Sequence, residues 1–189
     1  MAELARQGRT IDASLATFIT GGLLKALDYA HTLADKQGRP LAIVHRDISP
    51  NNVLVSGRGE VKLIDFGIAK SATKIAQTEV GTVKGNLRFM APEQALGEAT
   101  DPRTDVFSLA ASLYFALRGE ALYPVSGQYE QLVAAANGPT VVERRKVDAL
   151  PPPMNALLAP ALAPRPQERH PSARAFLEAL LPHMPADGT

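Results

Sequence analysis

The feature of the sequence that most constrains the fold is a predicted β-hairpin that joins two segments rich in polar side chains. Residues 53–55 and 61–64 are short runs of β-forming residues, separated by a turn that contains a serine and two glycines. His-Arg-Asp-Ile-Ser-Pro-Asn-Asn at 45–52 precedes the first strand, and Asp-Phe-Gly at 65–67 follows the second. Because a hairpin returns the chain to its starting point, we expect these two segments to lie side by side.

This arrangement would bring together oxygen ligands of the kind that Mg²⁺ prefers. Mg²⁺ usually takes one or two ligands from the protein and the others from water and phosphate. Asn52 and Asp65 can supply such ligands, and Asp47 then remains to orient an attacking hydroxyl. Gly67 gives the backbone after Asp65 a freedom that other residues lack. Phosphoryl transfer depends on positioned metal ions, neutralised phosphate charge and a carboxylate near the nucleophile, so these residues are candidates for that chemistry.

Two longer helices are predicted from the apolar pattern and its flanking residues. Between positions 15 and 30, apolar residues recur every three or four positions, which is typical of an amphipathic helix. Thr104 is a residue type that caps helices, so we expect a second helix over 105–117. Gly119 is expected to close this second helix.

Three shorter helices and one loop complete the pattern. Short helices are predicted at 128–136 and within the proline-rich stretch 151–166, where three leucines lie between the prolines. Ser172 is expected to cap the last helix. The residues of that helix predicted to face inward are Phe176, Leu177, Leu180 and Leu181. Residues 68–90 are rich in Thr, Lys and Gly without a clear period, which predicts a mobile surface loop.

The composition indicates one ordinary globular domain and argues against several kinds of partner. Twenty basic residues oppose 19 acidic ones, and the net charge of +1 gives no basis for binding nucleic acid or an anionic membrane. The most apolar stretch, 106–117, is too short for a bilayer span, which needs ~20 residues. The N-terminus has no apolar secretory core, and the chain has no cysteine. We therefore expect a cytoplasmic protein.

The motifs resemble those of the eukaryotic-type Ser/Thr protein kinases. His-Arg-Asp-x-x-x-x-Asn fits at 45–52, Asp-Phe-Gly at 65–67 and Ala-Pro-Glu at 91–93, in the family's order and spacing. The amino-acid sequence around the first motif is similar to that of bacterial, notably myxobacterial, members of the family. Aminoglycoside-type phosphotransferases share a His-x-Asp…Asn…Asp arrangement, but they lack the Ala-Pro-Glu segment and are the weaker match.

The resemblance implies a fold and a division of the chain. The expected fold is mainly α with a small β-hairpin, which is the large C-terminal lobe of a protein kinase without the N-terminal β lobe. Residues 1–189 would form a single partial kinase domain. Its expected parts are the catalytic loop 45–52, the metal loop 65–67, the activation segment 65–93 and the helical subdomain 104–182.

The resemblance also implies ATP-dependent phosphorylation of serine or threonine hydroxyls in a protein substrate, with Mg²⁺ as the metal. In that reaction Asp47 would accept or orient the proton of the attacking hydroxyl. Asn52 and Asp65 would bind Mg²⁺ and thereby hold ATP. Leu54 would form the floor under the adenine ring.

Further residues are implied to be structural or regulatory. Glu93 would pair with Arg169, and Asp105 would hold the backbone of the catalytic loop. His45 is expected to be a packed, hydrogen-bonded residue. Arg46 would meet a phosphate on the activation segment. The candidate phosphorylation sites on that segment are Thr73, Thr78 and Thr82.

The sequence departs from the family's pattern in two ways. No residues before His45 match the glycine-rich lid or the strand lysine of the N-terminal lobe. Ser49 stands where the family usually has a lysine, and Asn86 stands where it usually has a threonine. We therefore expect this chain alone to be weakly active or inactive.

Three hypotheses follow for the function. In the first, the chain is part of a Ser/Thr kinase whose N-terminal lobe is either missing through truncation of the reading frame or supplied by a separate N-lobe or kinase partner chain. Alternatively, it is a non-catalytic kinase-like binding module that docks through apolar surface near Leu54, Ile64 and the first helix. The third hypothesis is a gene remnant without a stable function.

Overall fold

The computed structural model describes residues 10–66 and 86–184, and this part of the chain is mainly α-helical. It contains seven α-helices and one two-stranded antiparallel sheet, which confirms the predicted mainly α fold with a small hairpin. In chain order the elements are α1 (Ala13–Thr32), β1 (Val53–Val55), β2 (Val61–Leu63), α2 (Pro92–Ala95), α3 (Pro102–Arg118), α4 (Gln128–Asn137), α5 (Val141–Asp148), α6 (Met154–Ala161) and α7 (Ala173–Leu180).

Helix α3 lies at the centre of the described structure and packs against α1, α6 and α7. Its residues from Thr104 to Tyr114 are all buried. The prediction that Thr104 caps the helix is wrong. Asp101 is the cap and accepts a hydrogen bond from the Arg103 N–H (2.7 Å), because the proline at position 102 favours an earlier start. Gly119 ends the helix as predicted, with a left-handed φ of 72°.

The predicted hairpin is present and rests on α1. Val53 pairs with Leu63, and Val55 pairs with Val61. Gly22 of α1 faces the hairpin, and a Cβ atom at this position would lie 2.9 Å from the Cβ of Val61. Because a side chain there would push the two elements apart, Gly22 permits the close approach that positions the hairpin.

The other predicted helices are present with small changes at their ends. Asp12 caps α1 through the Leu15 N–H (2.8 Å), and Ser172 caps α7 as predicted. The prediction that Leu181 faces inward is wrong, because α7 ends at Leu180 and Leu181 is 51% exposed. Helix α5 was missed, although Thr140 and the Glu three residues later form the capping box that marks its start.

The predicted loop at 68–90 lies largely outside the described residues, as do Gly67 and the candidate phosphorylation sites Thr73, Thr78 and Thr82. At its described end the loop prediction is wrong, because Leu87–Phe89 form a 3₁₀ turn whose two apolar side chains are buried. Across residues 10–66 and 86–184, none of the helices combines the length and the hydrophobicity needed to cross a membrane.

Candidate active site

Asp105 anchors the segment 45–52 from the first turn of α3. Its side chain is fully buried, and its two carboxylate oxygens accept hydrogen bonds from the backbone N–H groups of His45 (2.8 Å) and Arg46 (2.9 Å). The His31 ring of α1 contacts the same carboxylate through Nε2 (2.8 Å). A carboxylate near a helix N-terminus is also favoured by the helix dipole. The central helix therefore fixes the backbone that leads into Asp47.

His45 connects the segment 45–52 with the segment after β2 and is itself fully buried. Its Nδ1 accepts a hydrogen bond from the Asp47 N–H (3.3 Å), so Nε2 is the nitrogen that donates to the Ile64 carbonyl (3.0 Å). The ring lies 4.5 Å from the ring of Phe66, measured between centroids. These contacts hold the residues on either side of Asp65 against the segment 45–52.

The backbone brings Asn52 next to both Asp47 and the segment after β2. Asn52 donates from Nδ2 to the Asp47 carbonyl (2.7 Å), and its own carbonyl accepts from the Ile64 N–H (3.0 Å). Asp65 follows directly, is exposed and has a left-handed φ of 58°. Such a backbone costs roughly 1–2 kcal/mol in a residue other than glycine, and strain of this kind is concentrated at functional sites.

The oxygen groups of Asn52 and Asp65 fit a hard cation that keeps most of its ligands from elsewhere. Within the part of the chain that the structure describes, no group of three or more His, Cys, Asp or Glu side chains could hold a metal alone. One amide and one carboxylate match the few protein ligands that Mg²⁺ takes when it binds with phosphate. A metal ion bound by these two groups would take its remaining ligands from other sources.

A cleft of about 330 Å³ opens beside Asp47. Asp47 is half-buried on its wall, and Ser49 is almost completely buried. The described residues that line the cleft are Asp47, Ser49, Asn51, Asn52, Asn86, Leu87, Gln128 and Gln131. Asp47 is the only charged side chain among them, so the cleft is lined mainly by amides. Leu54 lies apart from this lining, on β1, and is 51% exposed.

Glu93 of α2 and Arg169 form a buried ion pair. Arg169 donates from Nη1 and Nη2 to the two carboxylate oxygens of Glu93, each at 2.8 Å. Its remaining donors bond to the carbonyls of Ala163, Arg103 and Pro164, so all five guanidinium N–H groups are used. Arg169 also lies 4.8 Å from the centre of the Phe107 ring. The pair ties α2 to the loop before α7.

Acid is expected to destabilise the protein through Glu93. Burial raises the pKa of this carboxyl, but the hydrogen bonds and the charge of Arg169 lower it by more, so the pKa lies below its ordinary value of 4.5. A lowered pKa stabilises the folded state above pH 4.5, and this stabilisation is lost as the pH falls through the folded pKa. Each pKa unit is worth about 1.4 kcal/mol. Urea unfolding between pH 7 and pH 3 measures the loss.

Two variants distinguish the contribution of Glu93 to the pH dependence of unfolding from that of other carboxyl groups. Glu93→Gln should lower the free energy of unfolding at pH 7 and flatten its dependence on acid. Glu178→Gln, in an exposed ion pair with Arg174, should leave the profile nearly unchanged. A Glu93→Gln profile parallel to that of the wild type would contradict the assignment.

Asp105→Asn is expected to destabilise the protein by roughly 1–3 kcal/mol, because an amide nitrogen cannot accept one of the hydrogen bonds that the carboxylate oxygens now accept. Urea unfolding at neutral pH measures the change. Asp101→Asn is the matched control on the same helix, since asparagine caps a helix about as well as aspartate. An equal fall in the free energy of unfolding in the two variants would show that the contacts of Asp105 with His45 and Arg46 do not stabilise the protein.

Sequence reasoning missed two residues of this site. His31 contacts Asp105, and Gln94 donates to the Arg46 carbonyl (2.9 Å). Neither belongs to a motif that was used. The signal for His31 was a histidine in the last turn of an amphipathic helix. The signal for Gln94 was a glutamine three residues after Ala91, the residue that caps α2.

Comparison with known proteins gives consistent matches along the chain. A model of the protein kinase domain matches residues 1–183. Tyrosine-protein kinase MasK of Myxococcus xanthus is 40% identical over 156 residues, which cover 82% of this chain and 24% of that protein. Serine/threonine-protein kinase PknJ of Mycobacterium tuberculosis is 37% identical over 186 residues, covering 94% of this chain and 30% of that protein.

Serine/threonine-protein kinase PksC of Streptomyces coelicolor is 36% identical over 185 residues, which cover 95% of this chain and 31% of that protein. The chain thus spans between about a quarter and a third of the length of these curated relatives. The matches to bacterial kinases agree with the motifs at 45–52, 65–67 and 91–93.

Proposed function

The chain belongs to the protein kinase domain family, and from this premise we propose that it takes part in ATP-dependent phosphorylation of serine or threonine hydroxyls in proteins. The observation that carries the proposal is the meeting of Asp47, Asn52 and the residues that flank Asp65, held by the buried His45 and Asp105. A scaffold of this kind keeps polar groups in one orientation, as phosphoryl transfer requires.

Asp47 is proposed to orient the attacking hydroxyl and to accept its proton. Its backbone is fixed at both peptide groups, because the N–H donates to His45 and the carbonyl accepts from Asn52. Its side chain is half-buried at the wall of the cleft, where a substrate hydroxyl can approach. A carboxylate placed beside a nucleophile contributes typically 10²–10⁴-fold to such reactions.

Asn52 and Asp65 are proposed to hold Mg²⁺ together with ATP. The Asn52 Nδ2 is engaged by the Asp47 carbonyl, which leaves the amide oxygen as the end that can bind a hard cation. Mg²⁺ bound with ATP would neutralise charge on the phosphates. Leu54 would contact the adenine ring, and half of its side chain is exposed for this contact. Because ATP is the phosphate donor, we propose a cytoplasmic location.

Ser49 removes a positive charge that the family usually places near the transferred phosphate. It is buried in the wall of the cleft that Asn86 also lines, and the described lining has no basic side chain. Charge-assisted hydrogen bonds contribute roughly 1.5–3 kcal/mol each. We therefore propose slow transfer by this chain alone and faster transfer when a separate N-lobe or partner chain supplies further phosphate contacts.

One assay can decide the hydroxyl class, which is whether the chain phosphorylates serine and threonine or tyrosine. Among the relatives above, PknJ and PksC are named serine/threonine kinases and MasK a tyrosine kinase. The full chain, Mg·ATP and a mixture of protein substrates are incubated, and mass spectrometry identifies the phosphorylated residues. Phosphoserine or phosphothreonine is expected. Phosphotyrosine alone would overturn the hydroxyl class, and no transfer would overturn catalysis by this chain.

A second candidate function is a non-catalytic binding module, favoured by apolar side chains at the surface. Leu54 is 51% exposed, Leu15 is 40% exposed and Phe18 is 38% exposed. Exposed apolar groups of this kind favour association when they are contiguous. In this case a partner would bind equally well to the wild type and to an Asp47→Asn variant, whereas catalysis needs the carboxylate.

A further inference from the structure

We propose that Gln94 is a positioning residue that fixes the peptide group between Arg46 and Asp47. The Gln94 side chain is 8% exposed and reaches from α2 into the catalytic loop, where its Nε2 donates to the Arg46 carbonyl (2.9 Å). The two residues are 48 positions apart in the sequence, so the contact links separate parts of the fold. Its effect on turnover rests on the proposed kinase function.

The peptide that Gln94 contacts belongs to a strained stretch of backbone. Arg46 has a left-handed φ of 64°, which costs roughly 1–2 kcal/mol in a residue with a side chain. Such a conformation persists only where surrounding contacts hold it. The N–H of Arg46 donates to Asp105 (2.9 Å), which holds the peptide on the N-terminal side of the strained residue. The peptide on its C-terminal side needs its own restraint.

Both ends of that second peptide are restrained. Its N–H, which belongs to Asp47, donates to His45 Nδ1 at 3.3 Å. Its C=O, which belongs to Arg46, accepts from Gln94. Because the His45 contact is long, the shorter bond from Gln94 is the stronger restraint on the orientation of this group. A rotation of the peptide would break both bonds and turn the Asp47 side chain.

The Gln94 amide is itself fixed in one orientation. Its Oε1 accepts a hydrogen bond from the Ala91 N–H (3.2 Å) at the start of α2, while its Nε2 donates to the Arg46 carbonyl. If the two ends of the amide were exchanged, the NH₂ group would face the Ala91 N–H and the amide oxygen would face the Arg46 carbonyl, so neither hydrogen bond could form. The Ala-Pro-Glu segment and the residue before Asp47 are therefore joined by a single side chain whose two polar atoms are both used.

Gln94→Glu is the sharpest test, because glutamate has the same shape and keeps an acceptor for Ala91 but presents an oxygen to the Arg46 carbonyl. Amide hydrogen exchange of the full chain is compared in the wild type and the variant. We expect exchange at Arg46 and Asp47 to accelerate by about tenfold, the size expected for one hydrogen bond, while exchange within α3 is unchanged. Gln167→Glu, at an exposed position, is the matched control.

A second variant and a second measurement keep the outcomes distinct. Gln94→Met removes both hydrogen bonds without adding a buried charge, and the same local acceleration is expected if Gln94→Glu fails to fold. If the wild type transfers phosphate, kcat should fall at least fivefold in either variant while KM for ATP stays within twofold. Unchanged exchange at Arg46 and Asp47, or an equal acceleration throughout α3, would overturn the role of Gln94. An inactive wild type would overturn only the proposed function, since exchange still reports on Gln94.

Discussion

Replacing Asp47 with asparagine is expected to lower phosphate transfer by about 10²–10⁴-fold. Asparagine has nearly the same size but cannot accept the proton of an attacking hydroxyl. The backbone bonds of residue 47 to His45 and Asn52 do not depend on the carboxylate, so the loop should keep its shape. The initial rate of γ-phosphate transfer from Mg·ATP, measured with the full chain, gives the change.

The control for this result is Asp148→Asn, which makes the same substitution at an exposed position at the end of α5. Circular dichroism should show equal helix content in the wild type and the two variants. A rate in Asp47→Asn above a tenth of the wild-type rate would contradict the role of Asp47 as the group beside the nucleophile.

Arg169→Met is expected to cost about 3–5 kcal/mol of stability, because it leaves the Glu93 carboxylate buried without its partner. This is a large part of the 5–15 kcal/mol that typically holds a domain folded. The loss includes the bonds from Arg169 to three backbone carbonyls and its contact with the Phe107 ring. Urea unfolding measures the change.

Two further variants serve as comparisons for the effect of Arg169→Met on stability. Arg169→Lys keeps the charge but lacks the planar fork that contacts both Glu93 oxygens, so it should also destabilise the protein and serves if Arg169→Met does not fold. Arg165→Met removes the exposed partner of Glu168, and a surface pair contributes only ~0–1 kcal/mol. A loss from Arg169→Met no larger than that from Arg165→Met would contradict the account of the buried pair.

The parts of the fold that local patterns encode were predictable. The hairpin was marked by its turn residues, and α1, α4, α6 and α7 by their apolar spacing or caps. Errors occurred where two local signals competed. Thr104 and Asp101 are both good caps, and the proline between them decided for Asp101. Leu181 continued an apolar period in sequence, but the helix had already ended.

The candidate site was predictable only where a motif names its residues. Asp47, Asn52 and Asp65 were chosen by residue type and spacing, and their roles in chemistry remain predictions. His31 and Gln94 act through partners 74 and 48 positions away, so the local signal at each position does not name the partner that the residue contacts. The left-handed backbone at Arg46 could not be predicted from the sequence either, because arginine has no preference for a positive φ.

We propose that Asn52 and Asp65 form one metal and nucleotide site beside Asp47, and paramagnetic broadening tests this most directly. Mn²⁺, a paramagnetic substitute for Mg²⁺, is added with ADP to the isotopically labelled full chain, and the broadening of backbone amide signals is recorded. We expect broadening at residues 52 and 64–66, dependent on ADP and lost in Asp65→Asn. Absence of broadening, or broadening that persists in Asp65→Asn, would contradict the claim.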